Sequence, residues 1–203
     1  MTSSFRENIL TYVLIFFVLI LVIKMYYDSD IFQLTCVVSD VNGKKYCIRE
    51  RKNMKKASNL LAKTTENMTK LVKYLDQNYS GQENVTRLVK NYNPKKIKEI
   101  LPTSQYTAYS ENKGEKIAFC LSKKDKQDVD NLIEENTLMF VALHELSHLA
   151  TKSIGHTDEF WKNFAFILKE SEKINIYHPV DYKENNTEYC GMTIKDNPYY
   201  DYK

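Results

Sequence analysis

From Ile9 to Ile23 the chain reads ILTYVLIFFVLILVI, fifteen residues without a charge or a helix breaker. Such a run has two destinations, a protein core or a lipid bilayer, and no polar position gives it a solvent face. At about 1.5 Å per residue it spans roughly 22 Å, short of a hydrocarbon core of about 30 Å. Lys24 can snorkel, and Met25, Tyr26 and Tyr27 carry the span to about 30 Å with tyrosines at headgroup depth. A cleaved signal peptide has an apolar stretch of similar length, but Lys24-Met25-Tyr26-Tyr27-Asp28 offers no small-x-small cleavage site. The expectation is a membrane-bound protein with an uncleaved single-pass anchor: residues 1–30 as tether, residues 9–27 in the bilayer, and a polar domain beyond. Arg6 before the run and Lys24 after it encode orientation only weakly. The triplets beginning at Asn67, Asn78, Asn84 and Asn185 are glycosylation acceptors if the domain is lumenal.

Beyond this run the chain has the composition of an ordinary globular domain. The whole chain of 203 residues is 43% hydrophobic and 27% charged, with only 5 glycines and 4 prolines, which excludes collagen-like and wholly disordered chains. Lys+Arg of 29 against Asp+Glu of 26 leaves +3, too balanced for the footprint of a nucleic-acid binder. Four cysteines are too few to build a disulfide miniprotein. The length suits one domain with a small appendage.

Three of the four histidines, His144, His148 and His156, fall within thirteen residues. His144 and His148 lie inside an apolar stretch of helical period, four apart, so both imidazoles project from one face. That spacing lets two ring nitrogens reach a Zn²⁺ at about 2.0–2.1 Å each. Glu145 sits beside the metal and not on it, placed to take a proton from a water whose pKa the ion has lowered toward about 7. A catalytic zinc needs a third protein ligand, and His156 is the candidate. Ser153 and Gly155 weaken the helix after Thr151, and a glycine at positive φ lets the chain swing His156 back. Asp158, Glu159, Glu170, Glu172 and His178 remain rivals for that third position. Thr157 reads as the N-cap of a following helix whose stripe, Phe160, Trp161, Phe164, Ile167 and Leu168, reads as core.

Tyr109 to Ile174 resembles the WLM family of small zinc metallopeptidases, minigluzincin-type enzymes related to the SprT group. The resemblance rests on a hairpin, SENKGEKIAFCL with Asn112-Lys113-Gly114 as its turn, then the helix LMFVALHELSHLA, then GHTDEFWKNF. It implies zinc held by His144, His148 and His156, Glu145 as the catalytic base, and a polypeptide substrate. The gap from His148 to His156 is two residues longer than is usual in that family. The resemblance extends to anchored forms of the kind large DNA viruses carry. Rival readings are a non-catalytic zinc-stabilised binding module and a structural membrane or virion protein.

The remaining segments read as support. LTCVVSDVNGKKYCIRE forms a second hairpin turning at Asn42-Gly43, and a four-residue turn Asp40–Gly43 sets Cys36 opposite Cys47. Cys36–Cys47, and more distantly Cys120–Cys190, are possible disulfides, with free thiols the alternative. Ala57 to Tyr79 and a shorter segment around Val85, Leu88, Val89 and Tyr92 have helical period, and Asn93-Pro94 is expected to start another helix through Ile97, Ile100 and Leu101. These helices are expected to pack under the catalytic hairpin. The lysine-rich stretches at 44–56 and 90–98 read as solvated surface or as a contact for anionic lipid. The edge bordering the metal cleft, with Ala118 as its test position, could bind an extended peptide by strand addition. The tail from Asn175 reads as irregular, with Tyr177, His178, Tyr182 and Tyr189 as candidate oxyanion stabilisers. The expected architecture is α+β: the anchor, a hairpin and helical layer over 31–107, and a catalytic core over 108–203, with 31–203 as one compact domain.

Overall fold

The computed structural model describes residues 2–27, 34–101, 104, 106–111, 114–122, 131–196 and 198–202. The architecture is α+β. Helix α1 (Thr2–Tyr27) includes Asn8–Tyr26, which is long and apolar enough to cross a membrane and buries none of its surface against the domain. Signal sequences share that length and composition.

The first hairpin pairs β1 (Thr35–Val38) with β2 (Lys45–Ile48) in the register Cys36↔Cys47, and those cysteines are disulfide-bonded. Ser39 and Lys44 close the turn, the Ser39 N–H donating to the Lys44 carbonyl at 2.9 Å, so the four-residue turn 40–43 is the one formed. Helices α2 (Met54–Tyr79) and α3 (Glu83–Asn91) come next, as their apolar period predicts.

The expected helix after Pro94 is replaced by a single 3-10 turn, Pro94–Lys96, and strand β3 (Ile97–Glu99). Asn93 caps the turn by accepting the Lys95 N–H, but the residues beyond gain more from a ladder than from a second helical turn. Ile97, Lys98 and Glu99 pair in parallel with Ile117, Ala118 and Phe119 of β5 (Lys116–Phe119), and the Ile100 N–H extends the ladder to the Phe119 carbonyl at 2.9 Å. Strand β4 (Ala108–Glu111) pairs antiparallel on the other side of β5, giving the order β3-β5-β4. The sheet is therefore mixed, and Ala118 lies in its central strand rather than at an edge. The turn residues Asn112 and Lys113 lie outside the described residues. At Gly114 (φ +104°) an added Cβ would stand 2.3 Å from the Asn91 carbonyl oxygen, so only glycine lets the hairpin approach α3 this closely.

Helix α4 (Glu135–Ala150) carries the histidine pair, and α5 (Asp158–Lys173) comes after it with Thr157 as its N-cap, accepting the Phe160 N–H. Helices α2 and α3 pack against each other and against α4, and α2 packs also against the β1–β2 hairpin; the β4–β5 hairpin meets this layer at the Gly114 turn, beside Asn91 of α3, rather than lying over it. The tail is ordered: β6 (Thr187–Tyr189) and β7 (Met192–Ile194) form a hairpin, with the short α6 (Pro198–Asp201) after it. A second disulfide, Cys120–Cys190, joins that hairpin to the end of β5. One buried apolar cluster runs from Tyr46 to Ile194.

Candidate metal centre

Helix α4 contains no Gly or Pro and buries twelve of its sixteen residues, so it is the central rod of the domain. His144 and His148 are its half-exposed positions on the cleft side. The helix stops at Thr151, whose N–H and hydroxyl both turn back to the Ser147 carbonyl at 3.0 and 2.7 Å. The chain then reverses through Gly155 at φ +83°, a conformation open to glycine and strained for a residue with a Cβ. The result is convergence. His148 Nε2 lies 3.1 Å and His156 Nε2 3.0 Å from His144 Nε2, and ligand nitrogens of all three lie within 4.8 Å of one another. Three nitrogens on a tetrahedral zinc stand roughly 3.3 Å apart.

Phe160, fully buried at the start of α5, floors the cluster. Its ring centroid lies 4.4 Å from that of His148, 4.7 Å from His156 and 4.9 Å from His144. Trp161 flanks His156 at 5.6 Å. Burial first, then the neighbouring His148 and His156, push the His144 imidazole down to about 3, so it is neutral at physiological pH. Neutral imidazole is the form that ligates a metal. Three imidazoles packed over an apolar floor with their nitrogens together form a donor set that fits a cation of zinc's preferences.

Glu145 is 4% exposed and faces the other side of the cleft. Burial raises its carboxyl to about 7, against the opposing hydrogen bonds it accepts from the Ser110 hydroxyl and backbone N–H on β4. A carboxyl poised near neutrality can both take a proton and return it. The Cys120 N–H donates to the Thr107 carbonyl at 3.0 Å, so Thr107, Tyr109 and Glu111 point their backbone groups at β5. Ala108 and Ser110 point theirs outward, which is how the Ser110 N–H reaches Glu145. A cavity of about 120 Å³ opens beside His144 and Glu145, lined by Ala108, Phe140, Val141, Met192 and Ile194 among others.

The rivals for the third ligand position are engaged elsewhere. Asp158 pairs with Lys162 at 2.6 Å, and Glu170 accepts from Tyr79 at 3.0 Å and Lys173 at 2.6 Å. Glu172 accepts the Tyr199 hydroxyl at 2.5 Å, and His178 is exposed, its backbone tied to Asn136. Glu159 accepts the Lys152 and Ser153 N–H groups at 3.0 and 3.2 Å and the Arg87 guanidinium at 3.2 Å, which clasps the loop bearing His156. Among the oxyanion candidates Tyr189 lines the cavity, but its hydroxyl is spent on the Cys120 backbone, accepting the N–H at 3.1 Å and donating to the carbonyl at 3.0 Å. Tyr177 and Tyr182 are buried against Phe140. Two supporting residues, Ser110 and Arg87, escape a reading of the sequence, and Glu159 reads there as a rival ligand rather than as the clasp of the loop. Each acts through a contact dozens of residues away or through a loop, and no local pattern announces it.

No family model matches the chain, and no solved structure does. It is 33% identical over 61 residues to uncharacterized protein 136R of Invertebrate iridescent virus 6, covering 30% of this chain and 34% of that one. It is 63% identical over 27 residues to uncharacterized protein 042R of Invertebrate iridescent virus 3, covering 13% and 17%. The similarity to uncharacterized protein R325 of Acanthamoeba polyphaga mimivirus is 31% over 166 residues and takes in 79% of this chain and 82% of that protein. With most of both chains aligned at that identity, the chain belongs to the same family as the mimivirus protein R325.

Proposed function

We propose that the chain is a membrane-anchored zinc metallopeptidase, similar to the WLM-type minigluzincins, that hydrolyses peptide bonds. The observation that carries this reading is the convergence of three imidazole Nε2 atoms, two from α4 and one from the loop after it, beside a buried carboxyl on α4. His144, His148 and His156 would hold the ion. A bound zinc supplies Lewis acidity, polarising a carbonyl and acidifying water. Glu145 takes the proton of the attacking water and delivers it to the leaving amine, and Ser110 holds the carboxylate in place for both transfers. The outward-facing backbone of Ala108 and the Ser110 carbonyl give an extended peptide a strand to pair with. The neighbouring cavity of about 120 Å³, walled by Phe140, Val141, Met192 and Ile194, offers room and an apolar lining for one substrate side chain.

The test is Glu145→Gln in the full chain purified in detergent. The enzyme reading requires cleavage of an unstructured protein such as casein to fall by at least about 100-fold, with zinc content and melting temperature retained. Undiminished cleavage would rule Glu145 out as the base. A parent chain that binds zinc and cleaves nothing would make the metal structural.

A further inference from the structure

All four cysteines of the chain are joined, Cys36 to Cys47 and Cys120 to Cys190. Paired cysteines of this kind form and persist in oxidising compartments and are rare where glutathione keeps thiols reduced. The apolar helix delivers the downstream domain to a membrane, and both of its readings, retained anchor or signal sequence, allow that domain to reach the lumenal face. In that compartment Asn-x-Ser/Thr triplets are acceptors for N-linked sugar.

The fold sorts the four triplets. Asn67 is half-buried in the middle of α2. Asn84 is half-buried and joins α3 to α5: its Nδ2 donates to Asn163 Oδ1 at 3.0 Å, and its Oδ1 accepts the Val85 N–H at 2.9 Å. A bulky group there would have to enter that junction. Asn78 is exposed on the last turn of α2, and Asn185 is exposed in the turn leading into β6. Each of these two uses a single Nδ2 hydrogen bond, to the Tyr74 carbonyl at 2.7 Å and the Asp181 carbonyl at 3.3 Å. An amide NH₂ has two hydrogens, so replacing one leaves the other to keep that bond.

We propose that Asn78 and Asn185 carry N-linked glycans, added in the oxidising lumen where the two disulfides form. In the transfer, the Asn Nδ2 bonds to the anomeric carbon of an oligosaccharide, whose bond to a lipid-linked pyrophosphate breaks. The amide gives up one proton and the lipid pyrophosphate leaves. The co-reactant is a lipid-linked oligosaccharide pyrophosphate with the membrane transferase of the secretory lumen. This inference does not depend on the metal centre.

The experiment expresses the full chain in cells with a secretory pathway and compares its mobility on denaturing gels before and after an endoglycosidase. The expected result is a shift of two glycans, reduced by one in Asn78→Gln, by one in Asn185→Gln, and abolished in the double variant, with Asn84→Gln unchanged. Thr187→Ala, which leaves Asn185 intact but removes its acceptor triplet, should match Asn185→Gln. Denaturing mobility does not require the variants to fold. An unshifted parent chain, or a shift surviving in the double variant, would overturn the proposal. So would four cysteines freely alkylated in the unreduced chain.

Discussion

Around Glu159 two elements close the loop that carries His156 to the other two imidazoles. Its carboxylate receives the Lys152 and Ser153 N–H groups, the Ser153 hydroxyl and Arg87, and these donors hold its pKa below the usual carboxylate range, the Lys152 N–H first. A carboxyl whose folded pKa is depressed adds stability that is complete above its ordinary value near 4.5 and is lost as pH falls through the folded value. The loop bearing His156 should therefore loosen in acid below that range. Hydrogen exchange at the Lys152 and Ser153 amides, normalised for intrinsic rate, should speed up as pH drops through it, and Glu159→Gln should flatten the dependence. At Gly155, Gly155→Val forces a side chain into φ +83° and should weaken zinc binding with little loss elsewhere; equilibrium competition with a chelator reads the change. Phe160→Ala removes the floor of the cluster and should cost about 3–5 kcal/mol in urea unfolding. His144, Glu145, His148 and the Thr157 cap are legible from the sequence because their spacing acts within a turn or two of helix. Ser110 is not, because its partnership with Glu145 spans 35 residues and needs the sheet to place it.

Strand β4 is the sheet edge on the cleft side, and that assignment carries its own prediction. The Ala108 N–H faces away from β5, so Ala108→Pro removes an outward donor without breaking the ladder. Cleavage of extended peptides should fall at least about tenfold, the loss of one hydrogen bond or more, while zinc content stays constant; unchanged KM and kcat would mean that substrate does not pair there. The C-terminal hairpin that walls the cavity is held by Cys120–Cys190 across a separation of 70 residues. In the chain-entropy picture, losing such a link costs about 4 kcal/mol, against about 3 for Cys36–Cys47 with its separation of 11. The double variant Cys120→Ser/Cys190→Ser should thus be the less stable of the two disulfide-free pairs in denaturant. Both pairings are open in the sequence, which offers spacing but not redox state. Strand β3 reads as helix in the sequence for a related reason: its three residues come after a helix-starting Asn-Pro, and only the distant Ile117–Phe119 segment makes them a strand.

At the scale of the whole molecule, an apolar helix is tethered to a domain built around α4. The boundary between the apolar helix and the polar domain is readable in the sequence because the two differ so sharply in composition. The tail is not, since β6, β7 and α6 are short and held by a disulfide and by packing rather than by periodicity. Binding of an ion only by the folded state should raise stability by about 4 kcal/mol at a thousandfold excess over Kd, so stripping with a chelator should lower the melting temperature and adding zinc should restore it.

The most direct measurement is the metal content of the full chain, purified in detergent and analysed beside a variant with His144, His148 and His156 all changed to alanine. Elemental analysis should find one zinc per parent chain and none in the variant, with casein cleavage confined to the parent. A metal-free parent, or a variant that keeps its metal, would contradict the account at its centre.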